Sequence, residues 1–152
     1  MDTSLAVKTE DTTKQYIVVK LDNEQFGIDI KYVDNIVKMQ KITRVPKCQD
    51  FFSGVINLRG EIVPVMSLRK KFGMSEDVET NASRIIIVKY DGAMIGILVD
   101  QVKEVTTLDD SEVEKNNVSG PEQTYISAVG KKDDQLISLL SLQAIIIEKE
   151  QA

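Results

Sequence analysis

The residues best equipped for chemistry in this chain are few. Asp109, Asp110, Glu112 and Glu114 form the densest run of carboxylates, and Cys48, with Lys47 beside it, is the single thiol. Carboxylates that meet in space can run a hydrolysis, and a cation next to a thiol lowers its pKa and favours the nucleophilic thiolate. Neither set is completed. The chain has no histidine, which removes the commonest general base and metal ligand and leaves Cys48 without a partner base. One thiol is no metal site. The acidic run lacks the D-x-[DN]-x-[DN]-G spacing of a calcium loop and reads as a solvated loop. No phosphate-cradling G-x-G-x-x-G or G-x-x-x-x-G-K-[ST] is present, nor a G-x-S-x-G elbow. The expectation is a protein that is not an enzyme, with no catalytic residue, no metal and no cofactor.

Composition narrows the partners. The 152 residues suffice for one ordinary domain or two very small ones, and a hydrophobic fraction of 42% supplies a core. With 19 basic and 24 acidic residues the formal charge is −5, which argues against a nucleic-acid or anionic-membrane partner, because both select a cationic surface. Four Phe, four Tyr and no Trp make a poor base-stacking platform. Cys48 has no second cysteine to pair with, which fits a reducing compartment. Met1 to Lys8 lacks the cationic start and apolar run of a signal peptide, and no stretch approaches the roughly 18 apolar residues of a membrane span. A cytoplasmic protein is expected, so the sequons at Asn81 and Asn117 read as chance matches.

The elements that would position any site are short and β-rich. Residues 1–14 are polar and unpatterned, a flexible N-terminus. Tyr16–Leu21 and Gln25–Ile30 read as strands around a turn at Asp22–Glu24. Lys31–Met39 leaves helical turn and strand both open. The connection through Pro46 allows one helical turn at Gln49–Phe52. Gly54–Leu58 and Glu61–Met66 form a hairpin about Arg59-Gly60, and Pro64, which cannot donate to a ladder, predicts an edge or a bulge there. Ser67–Gly73 reads as a short helix with Ser67 as N-cap and Gly73 as its end. Arg84–Tyr90 and Ala93–Val99 flank the strong hairpin signal Asp91-Gly92, and Val102 and Val105 continue beyond it. Leu108–Thr124 reads as a polar loop, Tyr125–Val129 and Gln135–Leu140 as a final hairpin around residues 130–134. Residues 141–149 close as a helix with Leu142, Ile145 and Ile146 on one face.

The chain also matches itself. Val19-Lys20-Leu21-Asp22 aligns with Val88-Lys89-Tyr90-Asp91, an offset of 88 − 19 = 69, and Gly27, Ile28, Val33 and Ile36 meet Gly96, Ile97, Val102 and Val105 with no gap. At 135 − 61 = 74, Glu61–Leu68 aligns with Gln135–Leu142. The reading is a duplication: an all-β fold of two barrel-like or curled-sheet halves of about five strands, roughly 15–72 and 84–147, with strand exchange possible between them. Halves this small bury too little surface alone and should pack together, leaving a groove at the seam.

Gly54-Val55-Ile56-Asn57-Leu58-Arg59-Gly60-Glu61-Ile62-Val63-Pro64-Val65 resembles the signature of the CheW family, coupling proteins of bacterial and archaeal chemotaxis. Three more blocks are similar to that family in the same order. They are Phe26–Ile30 with Val33 and Ile36, Ile95–Asp100 with Val102 and Val105, and Asp134–Leu142. Together they cover about residues 15–147. The resemblance implies two SH3-like five-stranded barrels on a shared core, and an adaptor without catalysis of its own. Its implied partners are the histidine kinase CheA, through that kinase's CheW-like domain, and the cytoplasmic helical hairpin of methyl-accepting chemoreceptors, in arrays at the inner membrane. With no phosphotransfer, ATPase or receiver segment in the chain, a free-standing coupling protein is the expectation.

The resemblance also implies two sets of site residues. Ile30, Val33, Ile36 and Val102 correspond to an apolar groove that takes the receptor hairpin, a helix-in-groove mode; the alternative for them is plain core packing. Phe51, Phe52, Gly54, Asn57, Leu58 and Arg59 correspond to the kinase-binding and assembly face. Arg59 at the turn offers bidentate contacts to carboxylates, against an alternative of capping its own turn. Gly54 either permits close approach of a partner's backbone or serves a φ > 0 turn. Of the consecutive Phe51 and Phe52, one is expected in the core and the other exposed. Asn35 departs from the family, where an acid is common nearby. The competing readings are another SH3-like module taking proline-rich peptides, for which exposed aromatics are scarce, a carboxylate-only hydrolase, and a CheW-like regulatory segment of CheA itself.

Overall fold

The structure, a computed structural model, describes residues 12–46, 52–74, 79–115 and 125–147. Eleven strands stand among them: β1 (Thr13–Leu21), β2 (Glu24–Asp29), β3 (Val33–Lys38), β4 (Phe52–Leu58), β5 (Glu61–Ser67), β6 (Arg84–Tyr90), β7 (Ala93–Val99), β8 (Gln101–Asp109), β9 (Val113–Lys115), β10 (Ile126–Lys132) and β11 (Gln135–Leu140). Two helices, α1 (Leu68–Lys71) and α2 (Leu142–Ile147), follow β5 and β11, and 3-10 turns occupy Ile30–Tyr32 and Asp110–Glu112. The fold is mainly β.

The duplication is visible element by element. Adding 69 carries β1, β2 and β3 onto β6, β7 and β8, and adding 74 carries β4, β5 and α1 onto β10, β11 and α2. The sheets, however, do not follow the halves of the chain. One sheet runs β8-β1-β2-β11-β10-β9 and the other β3-β6-β7-β5-β4. Each takes two central strands from one half and its flanking strands from the other, so a division at 15–72 and 84–147 cuts through both sheets. The physical reason lies in the centre strands. Ile85-Ile86-Ile87-Val88 and Ile17-Val18-Val19 are fully or almost fully buried on both faces, which requires a layer on each side and strands from elsewhere to flank them. Both sheets contain the same parallel pair: Gly27↔Leu139 in one and its repeat equivalent Gly96↔Val65 in the other.

Three apolar clusters result. Ile17, Val19 and Leu21 of β1 meet Ile86 and Val88 of β6, with Phe26, Ile97, Leu68, Phe72, Leu142, Ile145 and Ile146, in a core shared by the two sheets. The opposite face of β6 packs Ile85 and Ile87 against Ile56, Val63, Val65 and Leu98, all of its own sheet. Likewise Val18 packs with Leu108, Ala128, Ile137 and Leu139 inside the other. Each sheet therefore curls over an interior of its own and shares a third with its neighbour. Each Ile or Leu fully buried this way contributes about 2 kcal/mol.

Local expectations hold in most places. Ser67 Oγ accepts from Lys70 N at 3.2 Å as the α1 cap, and Gly73 ends the helix. Lys31–Met39 resolves into both options, a 3-10 turn and then β3. Four readings are corrected. β1 begins at Thr13, paired with Asp109, so Thr13 and Lys14 belong to a strand rather than to a flexible N-terminus. Leu108–Thr124 is not simply a loop: Leu108 is buried in β8, Asp109 and Glu112 form a capping box, and β9 pairs with β10. Phe52 belongs to β4 rather than to a helical turn; residues 49–51, with Phe51 and Cys48, lie outside the described residues. Pro64 is on an interior strand, between β4 and β7, without a bulge at its position. It is tolerated because Val55, opposite it, directs its own N–H and C=O outward to Thr43, and the β7 ladder begins only at Val65. No ladder bond is asked of the missing N–H.

Candidate functional site

The first candidate region is the β4–β5 hairpin tip. Arg59 has φ +54 and Gly60 φ +86, and Asn57 Oδ1 accepts from Gly60 N at 2.9 Å. Asn57 thus serves the turn itself, as Asx side chains do. Leu58 is half-buried against the interior of its own sheet. Arg59 is exposed and, among the described residues, has neither hydrogen-bond nor ion-pair partner. Three other hairpins also open on a residue with φ near +53, but these are Asp22, Asp91 and Asp133, a type that tolerates the left-handed region. Arginine does not share that tolerance. A long cation held there, with no hydrogen-bond or ion-pair partner among the described residues, is a placement the fold does not ask for.

Phe52 and Gly54 are placed differently. Phe52 is half-buried against the shared core. Gly54 is buried at φ +142, and a Cβ there would lie 2.2 Å from the Thr43 carbonyl oxygen. The close approach it permits is to its own chain: Thr43 and Val55 exchange two backbone bonds of 2.8 Å, adding a bridge outside β4.

The second region is formed by β3 and β8, the equivalent edge strands of the two sheets. Ile30, Val33 and Val102 are half-buried and pack against the shared core, so both edges run along its rim. Ile36 stands further along β3 at 38% exposure; its repeat equivalent Val105, at 50%, was not among the expected site residues. Val33 and Val102 each precede a bulge at the same repeat position. Asp34 is the extra residue between Val33↔Val88 and Asn35↔Ile87, and Lys103 the extra residue between Val102↔Val19 and Glu104↔Val18. Bulges re-aim neighbouring side chains and stop an edge from templating another strand. The expected groove at the seam is mostly filled by the shared core. What remains nearby is a hollow of about 460 Å³ whose lining is polar apart from Ile30: Thr13, Lys14, Gln15, Asp29, Lys31 and Thr107.

The third feature has no counterpart in the sequence reading. Arg69 of α1 is 5% exposed. Its Nε donates to Asp100 Oδ1 at 2.8 Å, one terminal nitrogen donates to Asp100 Oδ2 at 2.7 Å, and the same nitrogen pairs with Asp22. Asp22 N also donates to Asp100 Oδ2 at 2.9 Å. A buried guanidinium is tolerable only when paired and bonded in this way. The hydrogen bonds from Arg69, and then that from Asp22 N, hold the Asp100 carboxyl below the usual carboxylate range against the opposing effect of burial. In the acidic run, the Ser111 N–H and hydroxyl bonds do the same for Asp109, which accepts from both at 3.0 and 2.7 Å. Asp109 and Glu112 are therefore engaged in capping, and Glu114 pairs with Lys131 at 3.7 Å. Among the described residues no group of three or more His, Cys, Asp or Glu is arranged to hold a metal ion, and no helix is long and apolar enough to cross a membrane.

Comparison with known proteins gives this arrangement a family. The profile of the CheW-like domain matches residues 15–150. The chemotaxis protein CheW of Bacillus subtilis is 33% identical over 137 residues, 89% of this chain and 88% of that protein. CheW of Thermotoga maritima is 33% identical over 140 residues, 91% and 92% of the two. The crystal structure of the scaffolding protein TtCheW from Thermoanaerobacter tengcongensis superposes with a TM-score of 0.81 at 36% identity, covering 87% of this chain and 91% of that one. The chain therefore belongs to the CheW-like domain family, and the relatives it matches along nearly their whole length are chemotaxis proteins.

Proposed function

We propose that this protein is a non-catalytic chemotaxis adaptor that holds chemoreceptors and the histidine kinase CheA in one complex. The observation that carries the reading is the pair of equivalent edge strands, β3 and β8, which leave Ile36 and Val105 in solvent along the rim of a core where Ile30, Val33 and Val102 are half-buried. An amphipathic helical hairpin from a receptor would lay its apolar stripe along this rim. The β4–β5 tip, with Arg59 projecting and Asn57 bracing the turn, faces the kinase's CheW-like domain, and Phe51, Phe52, Gly54 and Leu58 are assigned to the same kinase contact. Residues 15–147 work as one unit in the cytoplasm, attached to receptor arrays at the inner membrane through these contacts.

Pairwise contacts in a lattice need only be modest, because neighbours raise the effective concentration of each next contact. The expected dissociation constants are low micromolar, about −8 kcal/mol. Titration calorimetry with a receptor hairpin fragment, and separately with the CheW-like domain of CheA, tests both halves. Ile36→Asp is expected to abolish the first without touching the second, and Arg59→Ala the reverse, each with an unchanged circular dichroism spectrum. No heat from the receptor fragment at about millimolar concentration would end the receptor reading.

A further inference from the structure

We infer that Arg69 is a positioning residue for the receptor-facing edge: through Asp100 it locks the β7–β8 crossover, and with it Val102, onto helix α1. This rests on the receptor reading above and adds the device that holds one side of that surface in place. The two points where the chain crosses between sheets are built differently. From β2 to β3 it passes through the 3-10 turn Ile30–Tyr32, which is braced locally by Asp29 Oδ1 accepting from Lys31 N at 3.0 Å. From β7 to β8 it passes through Asp100 alone, between Val99 and Gln101, with no turn of its own. The brace there is long-range. Arg69 reaches from the helix after β5, and Asp22 from the β1–β2 turn, so the cluster ties both sheets to the crossover.

The repeat makes this asymmetry plain. The counterpart of Arg69 is Gln143 and that of Asp100 is Lys31, both exposed, so the duplication alone does not account for a buried ion pair. Val102 sits two residues beyond Asp100 and one before the Lys103 bulge, where the β1–β8 register shifts. The backbone holds the start of β8 to β1 only as far as the bulge: Asp100 N donates to Lys20 O at 3.2 Å, and Gln101 and Val102 pair with Lys20 and Val19. The Asp100 side chain adds the tie to α1, and with it the aim of Val102 beside the bulge is set.

The test is Asp100→Asn in the full-length protein, with fold verified by its melting curve. Hydrogen–deuterium exchange is expected to speed up over residues 101–104 and to stay unchanged over the equivalent 32–35. Affinity for a purified chemoreceptor hairpin fragment is expected to fall about tenfold, while affinity for the CheW-like domain of CheA holds within about twofold. A merely structural role would weaken both partners alike. Asp22→Asn, on the side chain that is 58% exposed, is expected to give the same pattern at smaller amplitude and stands in if Asp100→Asn fails to fold. Wild-type exchange over 101–104, or an unchanged receptor affinity in a variant whose parent binds, would overturn the positioning role alone. A parent protein that does not bind the fragment would sink the receptor reading and this role together.

Discussion

The segments β4–β5–α1 and β10–β11–α2 are the same structure built twice, and they differ at their solvent-exposed tips and at a few buried positions. Strand lengths nearly coincide, the bulge after Phe52 recurs after Ile126, and Ile62 and Leu136 are both 61% exposed at equivalent positions. Even the helix caps repeat: Ser67 Oγ accepts from Lys70 N, and Ser141 Oγ from Ala144 N. The tips do not. One hairpin turns on Arg59-Gly60, the other on Asp133-Asp134. The strands, the bulge and the helix cap are duplicated, while the residues at the two tips are not. Inside, the halves differ too: Arg69 is buried where Gln143 is exposed, and Lys71 is buried where the second half has Ile145, so charge is taken inward on one side only.

The comparison breaks most sharply at Gly54. Its repeat equivalent is Ala128, which carries the side chain that Gly54 lacks. Gly54→Ala therefore writes the second half's residue into the first, yet it drives a Cβ to 2.2 Å from the Thr43 oxygen at a φ that side chains avoid. A loss of about 3 kcal/mol or more is expected in chemical denaturation. Ala128→Gly should cost about 1 kcal/mol or less. Equal costs would mean that the two strands have the same surroundings after all.

The next largest difference concerns Asp100. Its folded pKa lies below the ordinary carboxylate value, so its contribution is fully present above about pH 4 and is lost as the pH falls through the folded value. Asp100→Asn is expected to cost about 2 kcal/mol at neutral pH and to flatten the acid limb of the stability curve. Parallel acid limbs for the variant and wild type would show that the pair contributes nothing to linkage. Below this come the two caps. Ser67→Ala and Ser141→Ala should each cost about 1 kcal/mol, and by similar amounts, since the geometry repeats. A cap worth measurably more at Ser67 would mean that α1 is held partly through Arg69.

Much of this was legible beforehand because hairpins are local. Asp91-Gly92 between alternating runs, and Ser67 ahead of a short apolar helix, specify neighbours a few residues apart. The exchange of strands was not legible, since β1–β8 and β3–β6 pair across roughly the length of a half, and no local pattern distinguishes them from other edge pairings. One signal was available: an apolar run such as Ile85-Ile86-Ile87-Val88 belongs at the centre of a layered sheet. The Asp109–Glu112 cap was also readable from its i, i+3 spacing. Arg69 was not. In a helix's last turn it looks like any surface base, and its carboxylates are 31 and 47 residues away. Gly54 was singled out by the family motif, but the role it plays became visible only with Thr43 beside it.

The smallest expected effect on stability is also the most telling for the two tips. Asp133 occupies the left-handed region at little cost, whereas Arg59 is held in it at φ +54. Arg59→Gly removes that strain and gives back some unfolded-state entropy in return, so the net gain should be about 0.5 kcal/mol, read as a slightly higher denaturation midpoint with an unchanged slope. Affinity for the CheW-like domain of CheA should fall in the same variant without loss of stability, because among the described residues the guanidinium has no hydrogen-bond or ion-pair partner. A tip that becomes more stable and less adhesive would place the arginine there for a partner. A variant that loses stability instead would show that Arg59 supports the turn, and the difference between the two hairpin tips would then be a matter of folding.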